Sequence, residues 1–255
     1  MARIFVSGSS TGLGLLAGKK MMAAGHQVVF HARNAARAED LRRDVPETTS
    51  IVIGDLGTVE GALDVANQVN TLGSLDAVVH NAGVGHGVAR RQTPDGFPDT
   101  FAVNTLAPYI LTSVIGRPKR LVYLSSSMHL GVEPNLDDAL WKTRRWNGSR
   151  AYSESKLYVT ALSFAIARCW PDVASNAVDP GWVPTRMGGK GAPDDLGEGC
   201  TSQVALTTSD DSRFSRLTGQ YLHHMAIRKP AKRARDVVFQ DRLLELCRKL
   251  SGVAL

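Results

Sequence analysis

Arg3-Ile4-Phe5-Val6-Ser7-Gly8-Ser9-Ser10-Thr11-Gly12-Leu13-Gly14 is the stretch on which the fold turns. Ile4, Phe5 and Val6 form a short apolar run of the kind that makes a buried strand. The glycines after it permit a tight turn and let backbone approach a ligand closely. Leu13, Ala17, Met21 and Ala24 then recur at helical spacing until Gly25 stops the helix. In this order, strand, turn and helix make a cradle for a pyrophosphate at the helix N-terminus. Its residues are Gly8, Ser10, Thr11, Gly12, Leu13 and Gly14.

Further along, short β-rich runs alternate with longer stretches of helical period. Strands are expected over 27–31, 50–53, 77–80, 120–124 and 173–178, with a short one including 220–222. Helices are expected near 35–44, over 58–72 and over 97–114, where Pro108 marks a kink, and over 152–168. This alternation predicts an α/β fold, a doubly wound Rossmann-type parallel sheet of about seven strands with helices on both faces. No repeat or low-complexity linker divides the 255 residues, so one domain over 1–255 is expected.

Composition excludes several classes. There is no run of about 18 apolar residues, so no membrane span is expected. Met1-Ala2-Arg3 enters the first strand at once, leaving no room for a signal peptide. Cys169, Cys200 and Cys247 are widely separated, without metal-ligand spacing. They read as free thiols in a reducing compartment, hence a cytoplasmic location and no metal. The formal charge of +6 is compatible with anionic partners. The basic cluster Arg228, Lys229, Lys232, Arg233 and Arg235 lacks interleaved aromatic residues, so no nucleic-acid role is expected.

The end of the second strand bears on the cofactor. An NAD site places a carboxylate here for the adenosine ribose. Phe30-His31-Ala32-Arg33-Asn34 offers none before Glu39, whereas the Arg33 guanidinium suits a 2′-phosphate. NADP(H) is the preferred cofactor and NAD(H) stays open.

Tyr152-Ser153-Glu154-Ser155-Lys156 puts a phenol and an amine on one helix face. A free tyrosine has a pKa near 10, and a neighbouring ammonium favours its phenolate. Such a pair serves as a general acid/base beside a carbonyl.

Taken together, these motifs resemble the short-chain dehydrogenase/reductase family over nearly the full chain. Residues 7–14 resemble its glycine element, with Ser7 in place of Thr; Gly54-Asp55-Leu56 supplies its adenine-side Asp; His80-Asn81-Ala82-Gly83 resembles its Asn-Asn-Ala-Gly element, with His80 replacing the first Asn. Asn104 stands at the position of its catalytic Asn, Leu124-Ser125-Ser126 resembles its strand-end serine motif, and Pro180-Gly181 its nicotinamide-covering element. The resemblance implies a catalytic set of Asn104, Ser126, Tyr152 and Lys156. Tyr152 would exchange a proton with the substrate oxygen, Ser126 would anchor that oxygen, and Lys156 would lower the Tyr152 pKa and hold the nicotinamide ribose. Asn104 would hold a water linking Lys156 to solvent. Cofactor contacts would extend over Asp55, Leu56, Asn81, Ala82, Gly83, Tyr152, Lys156, Pro180, Gly181 and Val183. The implied reaction is NADP-dependent interconversion of a carbonyl and an alcohol.

Extra residues between Ser126 and Tyr152, including Glu133, Trp141, Arg144, Arg145 and Trp146, resemble the retinol-dehydrogenase-like and WW-domain oxidoreductase-like branch, which implies an apolar substrate. The segment from Asn104 to Ser126 is shorter than the family's usual one, which leaves a homodimer and a monomer equally open. Pocket candidates are His86, His129, Trp146, Trp182, Met187 and the Gly-rich segment Gly188 to Gly199, in which Gly188-Gly189-Lys190-Gly191 reads as a mobile lid. His129 reads first as a hydrogen-bonded structural residue, and the two tryptophans of the insertion as packing residues. The rival reading is a dinucleotide-binding regulator without turnover.

Overall fold

A computed structural model describes residues 1–85 and 89–255. Its sheet has eight strands: β1 Arg3–Val6, β2 Gln27–Ala32, β3 Ile51–Ile53, β4 Ala77–His80, β5 Arg120–Leu124, β6 Ala174–Asp179, β7 Tyr221–His223 and β8 Ala226–Arg228. They lie in the order β3-β2-β1-β4-β5-β6-β7-β8. All neighbours pair in parallel except β7 and β8.

The alternation of side chains across each strand divides the core in two. Phe5, Val29, Val78, Leu121, Tyr123 and Ala177 face the helices Val59–Thr71, Ala107–Val114 and Gly148–Cys169. Ile4, Val28, Phe30, Val79, Val122 and Val178 face the helices Gly12–Ala23 and Thr201–Thr208. A parallel sheet buried on both faces is the expected doubly wound arrangement.

The eighth strand adds to the expected sheet. His224 and Met225, with φ of 44° and 67°, turn the chain between β7 and β8. Two successive residues in the left-handed region suit a tight hairpin, and this one forms without the glycine or asparagine that would advertise it.

The helix expected over 97–114 is interrupted. Asp99–Phe101 is followed by a π turn over Ala102–Leu106 and then by the helix Ala107–Val114. Ala107 N–H donates to Ala102 O, five residues back. Pro108 has no N–H to donate four residues back, and the expected kink becomes a widened turn on its N-terminal side. That turn carries Asn104.

The helix expected from Tyr152 begins a turn earlier, at Gly148, because the Asn147 side chain accepts Arg150 N–H as its cap. The insertion before it is anchored through charge. Arg144 makes two hydrogen bonds to Glu154, at 2.7 and 2.8 Å, and Glu154 is 1 % exposed. The Arg144 guanidinium also lies 3.8 Å from the Trp141 ring centroid. Trp141 and Trp146 pack edge to face, 5.3 Å apart. Cys200 and Cys247 are buried, whereas Cys169 is exposed at a helix end. Among the described residues no helix is long and apolar enough to cross a membrane.

At the end of β4, His80 is fully enclosed, stacked on Tyr123 at 4.5 Å and hydrogen-bonded to Thr112. Burial pulls its pKa from 6.5 to about 3. The unfolded chain therefore binds this proton between those values and the folded chain does not, so stability falls as pH drops through the window. In urea titrations between pH 4 and 6, His80→Asn is expected to remove up to about 1.4 kcal/mol per pH unit of that slope. An unchanged slope would show that His80 is charged in the folded protein.

Candidate active site

The turn after β1 is braced from several sides. Gly8 and Gly12 have φ of 60° and 59°, in the left-handed region. A Cβ on Gly8 would lie 2.7 Å from Ala82 Cα, and one on Gly14 would strike the Asn81 side-chain amide. Asn81 Nδ2 donates to Ser7 O and Gly8 O at 3.0 Å, and Ala82 N–H donates to Ser7 Oγ. The Asn81 amide thus shapes the cradle from behind. Thr11 supplies no side-chain cap to the Gly12–Ala23 helix, so its first N–H groups are left for a ligand.

His31 completes the brace, a role absent from the sequence reading. Gly8 N–H donates to His31 Nδ1 at 2.8 Å. Nε2 lies 2.9 Å from Gly54 O, to which it must donate, so the imidazole is the neutral Nε2–H tautomer. Burial lowers the His31 pKa, consistent with that form. The detectable signal was a polar residue within an otherwise apolar buried strand, because a buried polar group needs partners.

At the end of β2, Arg33 is exposed, next to Asn34, which caps the helix Ala35–Arg42. Asp55 is exposed and accepts Gly57 N–H, while Leu56 is buried in the core.

Along the groove at the carboxyl ends of the parallel strands, bounded by the turns after β1, β4 and β5, Ser126, Tyr152 and Lys156 converge. The Ser126 side chain hydrogen-bonds Tyr152. Ser125 Oγ instead meets Thr160 Oγ1 at 2.6 Å, and Ser127 is exposed. Lys156 Nζ donates to Leu124 O at 2.8 Å and lies 5.6 Å from the Tyr152 ring centroid. A Cβ on Gly83 would lie 3.6 Å from Nζ, which places this residue beside the amine.

Burial dominates the electrostatics of this pair in the protein alone. Burial pushes Tyr152 up to about 12, Asp179 pushes the same way, and the Ser126 hydrogen bond opposes them. Burial also pulls Lys156 down to about 8. In the protein alone the amine bonds a backbone carbonyl, and dehydration of the phenolate dominates.

Asn104 has its amide engaged. Oδ1 accepts Val84 N–H at 2.8 Å, while Nδ2 donates to Val84 O and Ser155 Oγ. This side chain fixes the segment after Gly83 to the helix bearing Tyr152.

The segment after β6 crosses the groove. Gly181, at φ 81°, donates its N–H to Asp179 Oδ1. Asp194 Oδ2 accepts Trp182 N–H, and Asp194 N–H donates to Trp182 O. Trp182 Nε1 donates to Gly188 O. These bonds close residues 182–194 into a strap. Thr185 approaches Gly12 and Met187 approaches Gly85, so the strap reaches the turn after β1 and the segment after β4. Val183 is buried beneath it, whereas Trp182 is 60 % exposed.

Of the other pocket candidates, His129 is buried behind Ser126: Nδ1 donates to Ser126 O and Nε2 accepts Ala231 N–H. Trp146 packs on Trp141 within the insertion. His86 lies outside the described residues.

A family model described as short chain dehydrogenase matches residues 2–118. Short-chain dehydrogenase chry4 of Gibberella zeae is 34 % identical, covering 100 % of this chain and 99 % of its own. An oxidoreductase of Emericella nidulans is 37 % identical with the same coverage. Human retinol dehydrogenase 13 is 27 % identical, over 72 % of this chain and 60 % of its own. Among solved structures, a Mycobacterium paratuberculosis protein superposes with a TM-score of 0.86 at 22 % identity, covering 100 % of this chain and 94 % of its own. A metagenomic blue fluorescent protein in complex with NADPH superposes with a TM-score of 0.69 at 21 % identity, covering 87 % and 95 %.

Gly8→Ala would meet both the left-handed backbone and the Ala82 contact, and is expected to destabilise the fold by about 1–3 kcal/mol. The urea midpoint measures this; a wild-type midpoint would show that the turn can relax.

Proposed function

Because the chain belongs to the short-chain dehydrogenase family, we propose that it is an NADP-dependent oxidoreductase, a single domain over residues 1–255, interconverting a carbonyl and a primary or secondary alcohol. The observation that carries this reading is the convergence of Ser126, Tyr152 and Lys156 beside Gly83, at the carboxyl ends of the parallel strands. Ligands of open parallel sheets bind at that edge.

The site fits a dinucleotide. Gly8 and Gly14 let the turn pack directly on Ala82 and Asn81 behind it, and the helix N-terminus there has no side-chain cap. Gly8, Ser10, Thr11, Gly12, Leu13 and Gly14 would hold its pyrophosphate, Asp55 and Leu56 its adenine side, and Pro180, Gly181 and Val183 its nicotinamide side. Arg33, exposed where an NAD enzyme carries a carboxylate, would take a 2′-phosphate. The cofactor supplies or accepts the hydride.

The chain's own residues manage the proton. Tyr152, held protonated by burial, donates from its hydroxyl to the carbonyl oxygen as charge develops there. Ser126 steadies that oxygen by a hydrogen bond. Lys156 contributes positive charge and would hold the nicotinamide ribose, and Asn104 keeps the loop after Gly83 in register. An apolar substrate is favoured by Met128, Leu130, Trp182, Met187, Met225 and Ile227, which are exposed on the segments following β5, β6 and β7.

Tyr152→Phe is expected to bind NADPH as the wild type does while carbonyl reduction, followed at the nicotinamide absorbance, falls by about 10²–10⁴. Comparable turnover would defeat the mechanism. Arg33→Ala is expected to weaken NADPH by about tenfold or more with little change for NADH. Equal losses for both would remove the 2′-phosphate role.

A further inference from the structure

The alternation along β6 places Ala177 and Asp179 on the face covered by the Gly148–Cys169 helix, while Val178 faces the other core. Asp179 is 4 % exposed. Its Oδ1 accepts Gly181 N–H at 2.9 Å and its Oδ2 accepts the Tyr221 hydroxyl at 3.0 Å. A carboxylate gripped from two sides cannot swing out to water.

The adjacent strand brings Lys156 to the same place. Leu124 of β5 pairs in register with Val178, and Ser125 N–H donates to Val178 O. Lys156, itself 4 % exposed, reaches from the helix to Leu124 O. The ammonium and the carboxylate therefore lie at the ends of neighbouring strands, on one face of the sheet, with no direct hydrogen bond between them. Other groups around Asp179 are Tyr152 from the helix, Tyr221 and His223 from β7, and His129 from the turn after β5. His223 Nδ1 lies 3.7 Å from Oδ2. His224 stacks on His223 and bonds Pro180 O, with Glu198 4.0 Å from its far side.

We infer that Asp179 is a positioning residue for the Tyr152–Lys156 pair, supplying the buried counter-charge that keeps Lys156 an ammonium and Tyr152 a neutral phenol. The inference rests on the proposed function only for its catalytic consequence. An isolated ammonium in an apolar interior sheds its proton, and a nearby carboxylate opposes this. Burial pulls Lys156 down and Asp179 pushes it back up, while the same negative charge pushes Tyr152 up. The pair is thereby set with the phenol carrying the proton it would give to a carbonyl oxygen. Tyr221 and Gly181 act through Asp179, and the Gly181 bond couples this carboxylate to the strap that crosses the groove.

The test titrates the ¹⁵Nζ resonance of Lys156 in the cofactor-free protein, assigned by its loss in Lys156→Arg. The wild-type midpoint is expected near 8. In Asp179→Asn, which removes charge and keeps an acceptor for Gly181 N–H, the midpoint should fall by about one pH unit or more. Asp179→Ser retains a hydroxyl acceptor there and replaces the Asn variant if that one fails to fold. An unmoved midpoint in a folded variant overturns the inference. The alkaline limb of kcat/KM for carbonyl reduction should shift in parallel. A shifted resonance in a protein without turnover would leave the electrostatic role standing and defeat the oxidoreductase reading; turnover with an unmoved resonance would do the reverse.

Discussion

Parallel pairing from β3 through β7 sends every one of those strands out at the same edge of the sheet. Segments leaving that edge must bend immediately, and their polar groups must find partners without a further ladder. The glycine turn after β1, the Asn81 loop after β4, the serines after β5 and the Asp179 turn after β6 are consequently neighbours. Each is tied to another: Asn81 to Ser7 and Gly8, Ser125 to Val178, Lys156 to Leu124. The groove is the space that these ties leave between them.

Dehydration sets the chemistry within it. The interior raises Tyr152, lowers Lys156 and keeps His31 and His80 neutral, because each charged form would lose water without full replacement. Around this site, Glu154 is held by Arg144 and fastens the insertion two residues from Tyr152. Asn104, presented by the π turn ahead of Pro108, fastens the loop after Gly83 to the same helix. Both ties end on the helix that bears Tyr152.

Much of this was legible in local pattern. The apolar run before Ser7-Gly8, the helical spacing of Leu13, Ala17 and Met21, and the four-residue step from Tyr152 to Lys156 each specify a local geometry that tertiary packing retains. The hairpin to β8 was hidden because His224 and Met225 adopt a backbone that their residue types do not announce. His31 and Asp179 were hidden for another reason: their partners lie on other strands, and no spacing along the chain encodes Gly8 meeting His31 or Tyr221 meeting Asp179.

By itself, then, the sequence determined the strand–turn–helix order and the helical face shared by the phenol and the amine. Those properties follow from short-range periodicity and from the conformational limits of glycine and proline. Only the tertiary structure decided which side chains brace the cradle, that Lys156 bonds Leu124 O, and that Tyr152 is buried deeply enough for its pKa to rise. Hydrogen-bond partners and dehydration are properties of what surrounds a group in space, and the chain creates those surroundings only when distant strands close side by side.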